Sequence, residues 1–200
     1  MYSSVRKILQ ALYYIQENVP KENRSRHDIM YLLKLIYFAD RFHIRRFGFV
    51  VSGDKYYAMK NGPVASLTFD ILKTNSMQIN SAEAGLLSNI RILSEHEVEI
   101  SAQADDELSE SFREALDFSI STFGCFSQWE LSNISHDYPE WGKLKEKLNE
   151  NPSIPMGMKD FFENPKNFVN LNQYNINKDP YNEDEEFLAA MKADFCENSI

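Results

Sequence analysis

Val5, Ile8, Leu9, Leu12 and Ile15 recur at the three- and four-residue spacing of one helix face, which predicts a first helix over residues 4–17. Pro20 and the polar KENRS stretch end it. Ser25 is a good N-cap for the next helix, with Asp28 favouring its positive end. From Ile29 to Ile44 the chain is apolar on most helical faces, the pattern of a buried central helix rather than a surface amphipath. Gly48 marks its end, because glycine takes a left-handed backbone cheaply. Phe49-Val50-Val51 and Lys55-Tyr56-Tyr57-Ala58-Met59 then flank Ser52-Gly53-Asp54, a strand–turn–strand signal. Pro63 sits where a following helix would place its first residue, ahead of Leu67, Ile71 and Leu72.

Residues 74–88 carry little pattern, and Ile90–Leu93 with Val98–Ile100 predict a second hairpin. Leu108-Ser109 opens a helix that shows Phe112, Ala115, Leu116, Ile120 and Phe123 on one face and closes at Gly124. Ser127 and Glu130 have the spacing of a capping box, and Pro139 is placed to start a helix with Trp141, Leu144 and Leu148. Beyond Pro152 the prolines and asparagines predict irregular, partly extended chain laid over the domain. Residues 183–195 predict a last, acidic helix with Phe187, Leu188, Met191 and Phe195 on one side. The expected class is therefore α+β, mainly α: a helical core with a small antiparallel hairpin or sheet. A domain over 1–150 and a C-terminal extension over 151–200 are the expected units.

Composition narrows this picture. Two hundred residues, 43% hydrophobic and 13% aromatic, supply one core, and a chain of that size buries roughly 70% of its unfolded surface. Cys125 and Cys196 form no disulfide framework and no CxxC pair, so a reducing cytoplasm is the expected compartment. Arg6-Lys7 before ILQALYYI faintly imitates a signal peptide, but Gln10 interrupts the run and no small-residue cleavage site follows. No membrane span is expected, because the longest apolar run is short and contains Lys34. Charge is uneven: residues 1–60 hold 11 Lys and Arg against 5 Asp and Glu, whereas the other 140 hold 10 against 25. The overall acidity makes nucleic acid an unfavoured partner and suits either solubility or a protein with a basic face.

The candidate chemistry is sparse. Asp54 on the predicted turn, Tyr56 or Tyr57 on the strand and Lys60 just after it are the expected partner-contact residues of this region. Strand alternation turns one tyrosine inward and the other outward, where a stiff aromatic with a polar tip anchors a contact. Asp40 and His43, three apart on one helix, read either as an acid orienting a base or as a buried polar tie between helix and hairpin. Gly124-Cys125-Phe126 and Trp129 loosely resemble a papain-type nucleophile at a helix start, but the spacing departs from that signature. His27, His43, His96 and His136 lack metal-ligand spacing, so neither a metal nor a cofactor is expected. The last helix, through Phe187 and Met191, has three readings: cover for the domain's own core, contact with a partner, or a homodimer seam.

Taken together, KLIYFAD (34–40), His43, Gly48, SGDKYYAM (52–59), NGPVAS (61–66), LSESFREALDFSISTFG (108–124) and LSNISHDYPEW (131–141) resemble the Panacea, or SocA-like, antitoxin domain of bacteria and their phages. The resemblance covers residues 4 to about 148. Its motif positions here are Lys34, Tyr37, Asp40, His43, Gly62, Pro63, His136 and Trp141. It also suggests that Asp40, His43 and His136 share one polar cluster. The resemblance implies a non-enzymatic role, an antitoxin that neutralises a co-encoded toxin by binding it. One branch resembles proteolytic adaptors that deliver the toxin to an ATP-dependent protease. A hydrolase using Asp40, His43 or Cys125 is the enzymatic alternative, and no helix-turn-helix with a basic recognition face supports a DNA-binding autorepressor.

Overall fold

The apolar helix read from Ile29 onward is the axis of the molecule. The computed structural model describes residues 3–74, 84–101, 107–176, 178–181 and 183–198. Helix α1 (Ser3–Asn18) leads into α2 (Ile29–Phe47), whose residues from Tyr31 to Arg45 are all buried. Each leucine or isoleucine so enclosed contributes roughly 1.5–3 kcal/mol relative to exposure. The N-cap of α2 is Asp28, whose carboxylate accepts the Tyr31 N–H at 2.9 Å. Ser25, the expected cap, instead donates its hydroxyl to Gln128 at 2.5 Å. Gly48 closes α2 with φ of 81°, as its position predicted.

The hairpin is shifted from its expected place. Strands β1 (Tyr56–Met59) and β2 (Gly62–Ala65) pair antiparallel with Tyr56 opposite Ala65 and Met59 opposite Gly62, so Lys60-Asn61 is the turn. Phe49–Val51 forms no strand, and Gly53, at φ of 66°, bends a loop instead. Two facts explain the shift. Asp40 pulls Ser52 down onto α2, taking that segment out of strand geometry. Gly62, at φ of 99°, supplies the backbone reversal beside the turn. Pro63 accordingly lies in β2 rather than at a helix start. Among the described strands β2 pairs with β1 alone and so lies at the sheet edge, where a residue without an N–H is tolerated.

Helix α3 (Ser66–Leu72) follows, and its first turn is capped from outside: Asp54 accepts the Leu67 N–H at 2.8 Å and the Thr68 N–H at 2.7 Å. Strands β3 (Ile90–Ile92) and β4 (Val98–Ile100) form the second hairpin as expected, and its turn pairs with the entry to α2, where Ile29 N–H donates to the His96 carbonyl at 2.8 Å. Of the weakly patterned 74–88, residues 75–83 lie outside the described residues, and Ala84–Asn89 forms a 3-10 helix. Helix α4 (Glu110–Phe123) packs along α2 with its Ser109 cap, and α5 (Gln128–Ser135) carries the full Ser127–Glu130 capping box. The short α6 (Pro139–Gly142) has Pro139 in its first turn.

The chain beyond residue 150 enters the same core. Strand β5 (Ser153–Pro155) pairs with β1 on the side opposite β2. Phe161 and Phe162 of the 3-10 helix Met158–Phe162, Leu171 of α7 (Val169–Gln173) and Tyr181 are buried in the common cluster. Helix α8 (Glu185–Asn198) lays Leu188, Met191 and Phe195 inward, Phe195 meeting Phe162 with ring centres 5.6 Å apart. Phe187, expected on that stripe, faces outward. The architecture is mainly α with a three-stranded and a two-stranded antiparallel sheet among the described residues.

Candidate partner-binding site

The motif residues of α2 divide by what they hold. Asp40 is sealed beneath the hairpin, where it accepts the Ser52 N–H at 2.9 Å, the Ser52 hydroxyl and the Tyr56 hydroxyl at 2.6 Å. Burial raises its pKa to about 6 against the lowering effect of those three donors. His43 contacts the Phe49 carbonyl through Nδ1 at 2.8 Å and Ser111 Oγ through Nε2 at 3.1 Å, and burial lowers its pKa. Asp40 and His43 thus make separate ties to the segment that follows α2. His136 joins neither; it stacks on Trp141 with ring centres 3.7 Å apart, and its pKa falls to about 4 through burial, with Lys34 adding to the effect. No described hydrogen bond unites Asp40, His43 and His136 into the expected cluster.

Asp54, expected on the surface, is buried and committed to Lys55, Leu67 and Thr68. Of the two strand tyrosines, Tyr56 points inward to Asp40 and Tyr57 is half-exposed on the opposite face. Trp141 is buried and donates its indole N–H to the Met59 carbonyl at 2.9 Å, fixing the end of β1. Tyr37 donates to Glu140 at 2.6 Å within the core. Gly62 is required twice over, by its positive φ and because a Cβ there would collide with Ser135 Oγ and come within 2.8 Å of Lys34 Nζ.

Lys34 is held more sparsely than Asp40, His43 or Asp54. Its side chain is 1% exposed, yet its ammonium makes one hydrogen bond, to the Pro63 carbonyl at 2.7 Å, and no ion pair among the described residues. Burial lowers its pKa to about 7. Directly beside it opens a groove of about 480 Å³, between the first turns of α2, the β1–β2 turn, α3, the β3–β4 turn and the start of α5. Apolar side chains including Leu33, Met59, Val64 and Phe69 line it together with three lysines, Lys34, Lys60 and Lys73. The one carboxylate among its described lining residues, Asp28, caps α2. Trp129 stands at the edge, 60% exposed, because the capping box fixes α5 with Leu131 and Ile134 inward and the indole outward.

Of the expected contact residues, Lys60 borders this groove. Tyr57 lies with Asp54 and Lys55 in a shallower depression of about 250 Å³, and Phe187 and Met191 lie on α8, where Met191 meets Gly48. Sequence reasoning missed Phe69, Lys73 and Trp129 as neighbours. The available signal was Trp129 itself, an aromatic set off the apolar stripe of its own helix.

The family model for the antitoxin SocA-like, Panacea domain matches residues 32–142. The chain belongs to that family. The matched Panacea span holds most of α2, both hairpins, α4, α5 and α6, and therefore most of the groove wall. Neither the curated proteins nor the solved structures gave a match. Among the described residues, no helix is long and apolar enough to cross a membrane.

Proposed function

We propose that this protein is an antitoxin that neutralises a co-encoded toxin by direct protein–protein binding. Membership of the Panacea family carries the reading. The disposition of the reactive side chains supports it: the Asp40 carboxylate holds the loop and hairpin to α2, and the two ring nitrogens of His43 are engaged with the Phe49 carbonyl of that loop and with Ser111 of α4. A general base must reach a substrate proton, and these groups are turned into the fold instead. Cys125 is exposed, but none of the described hydrogen bonds supplies it with a base. What the hairpin does offer is a stiff surface, with Lys60 at its turn and Tyr57 on its outer face as contact residues.

Co-expression with the product of the adjacent reading frame tests this reading. Growth arrest by that product alone, rescue by this protein and co-purification of the two are the expected results. A harmless neighbour, or rescue without any complex, overturns it. Direct binding also predicts that rescue persists in cells lacking the ATP-dependent proteases; its loss there transfers the protein to the adaptor class.

A further inference from the structure

The groove at the head of α2 differs in sign from the molecule around it. The chain carries a formal charge of −9, yet among the described residues the groove presents Lys34, Lys60 and Lys73 against a single carboxylate, Asp28, already committed to a helix cap. Among the described residues Lys60 makes no ion pair, and the Lys73 ammonium makes no ion pair and donates to the Glu95 carbonyl at 2.8 Å. Beneath them lies the buried ammonium of Lys34, bonded to the Pro63 carbonyl and with no counter-ion among the described residues. An ordinary core position would hold a hydrocarbon there, or a carboxylate beside the lysine. The apolar walls and the exposed Trp129 favour a partner with side chains to bury, since aromatic residues beside apolar pockets anchor protein interfaces.

Resting on the antitoxin reading, we infer that this groove seats an apolar segment of the toxin that carries a carboxylate. The apolar side chains lie on Leu33, Met59 and Phe69 and under Trp129, and the carboxylate faces Lys60 and Lys73, in the field of Lys34. The field favours an acidic segment over a basic one, so the groove selects by charge as well as by shape. A basic partner face, which the overall acidity of the chain suits, would meet the wrong sign at this position.

The test uses the full chain in complex with the product of the adjacent reading frame. Zero-length carbodiimide coupling, which joins an amine to a carboxylate with loss of water, is followed by peptide mass spectrometry. Lys60 or Lys73 joined to an Asp, Glu or terminal carboxylate of the partner is the expected product. Lys60→Glu with Lys73→Glu, and separately Trp129→Ala, are expected to weaken the complex roughly tenfold or more while melting as the parent does. Lys159→Glu, an exposed lysine outside the groove, is the control. A complex that forms with unchanged affinity in both groove variants, or couples only through other lysines, overturns the groove inference and leaves the antitoxin reading standing. Altered self-association with unaltered toxin binding overturns it too, assigning the face to a second copy of this chain. If the unsubstituted protein forms no complex, the antitoxin reading falls and takes this one with it.

Discussion

The two ends of α2 bury the same kind of charge and treat it in opposite ways. Toward the C-terminal end, Arg41 donates to Glu140 at 2.6 Å, to the Phe161 carbonyl at 3.0 Å and to the Glu163 carbonyl at 2.7 Å. One turn on, Arg45 reaches Glu183 at 2.9 Å, Asn164 at 2.6 Å and the same Phe161 carbonyl. The Tyr138 and Tyr181 rings lie 4.3 and 5.0 Å from the Arg41 guanidinium carbon. Toward the N-terminal end, Lys34 has one carbonyl and an open groove. A planar guanidinium with several fixed donors suits a closed, multiply bonded site, whereas a lysine is a point charge that one bond leaves unsatisfied. Among the described residues Arg41 Nε and Glu140 Oε2 are still left without a hydrogen-bond partner, so the lesson is one of degree: a buried charge identifies structure when an opposite charge and several carbonyls hold it, and a candidate site when one carbonyl does.

Arg41→Met is the strongest way to break that contrast. It strands the Glu140 carboxylate in the core and releases the backbone at 161–163, so a loss of about 3–5 kcal/mol in chemical denaturation is expected. A loss below about 1 kcal/mol would mean that the arginine end is no more committed than the lysine end. Arg41→Met with Glu140→Leu should recover much of the loss, because an apolar pair leaves no isolated charge.

Gly62→Ala probes the hairpin that covers Lys34. Positive φ and the collision at Ser135 are expected to cost about 2 kcal/mol or more, read as a lower melting temperature. Parent-like melting would show that the turn tolerates a Cβ and that the cover over Lys34 is loose.

Lys34→Met sharpens the comparison through pH. The folded pKa of about 7 lies below the ordinary value of 10.5, so between those values the unfolded chain binds more protons than the folded one. The parent protein therefore gains stability at this site as pH rises from 7 toward 10.5, and Lys34→Met lacks that gain. His136 titrates below this window, its pKa being lowered to about 4 from 6.5. Melting curves of both proteins from pH 6.5 to 9.5 check this. The parent should gain on the variant by a few degrees, and parallel curves would show that Lys34 is paired after all. Trp129→Ala has the smallest expected effect on stability, within about 0.5 kcal/mol, because the indole is 60% exposed. A larger loss would make Trp129 part of the core.

Patterns local to a helix were legible in the sequence, and placements across the chain were not. The near-continuous apolar run from Ile29 to Ile44 is possible only for a helix enclosed on most sides, and it is enclosed. Gly48, Ser109 and the Ser127–Glu130 box act within a few residues of their own helix ends, so their roles were fixed by short-range hydrogen bonding. The hairpin register was not local. It depends on Asp40 drawing Ser52 inward, across 12 residues of chain, so SGD reads as a hairpin turn from sequence although it lies one loop too early.

The candidate site was legible only in fragments. Lys34 and Lys60 stood out in the motifs, but the groove also needs Lys73 from α3 and Trp129 from α5, and nothing in their spacing announces that they meet. Sequence by itself determined the helical core, the caps at Gly48, Ser109 and Ser127, the second hairpin and the Panacea resemblance, because periodicity and capping are set by neighbours a few residues away; the N-cap of α2 was placed at Ser25, three residues ahead of Asp28. Tertiary structure alone decided which buried charges are matched, since Arg41 finds Glu140 and Phe161 at separations of 99 and 120 residues, and Lys34, among the described residues, finds the Pro63 carbonyl and no counter-ion. Electrostatic complementarity is a property of distances in space, which the order of residues along the chain does not specify.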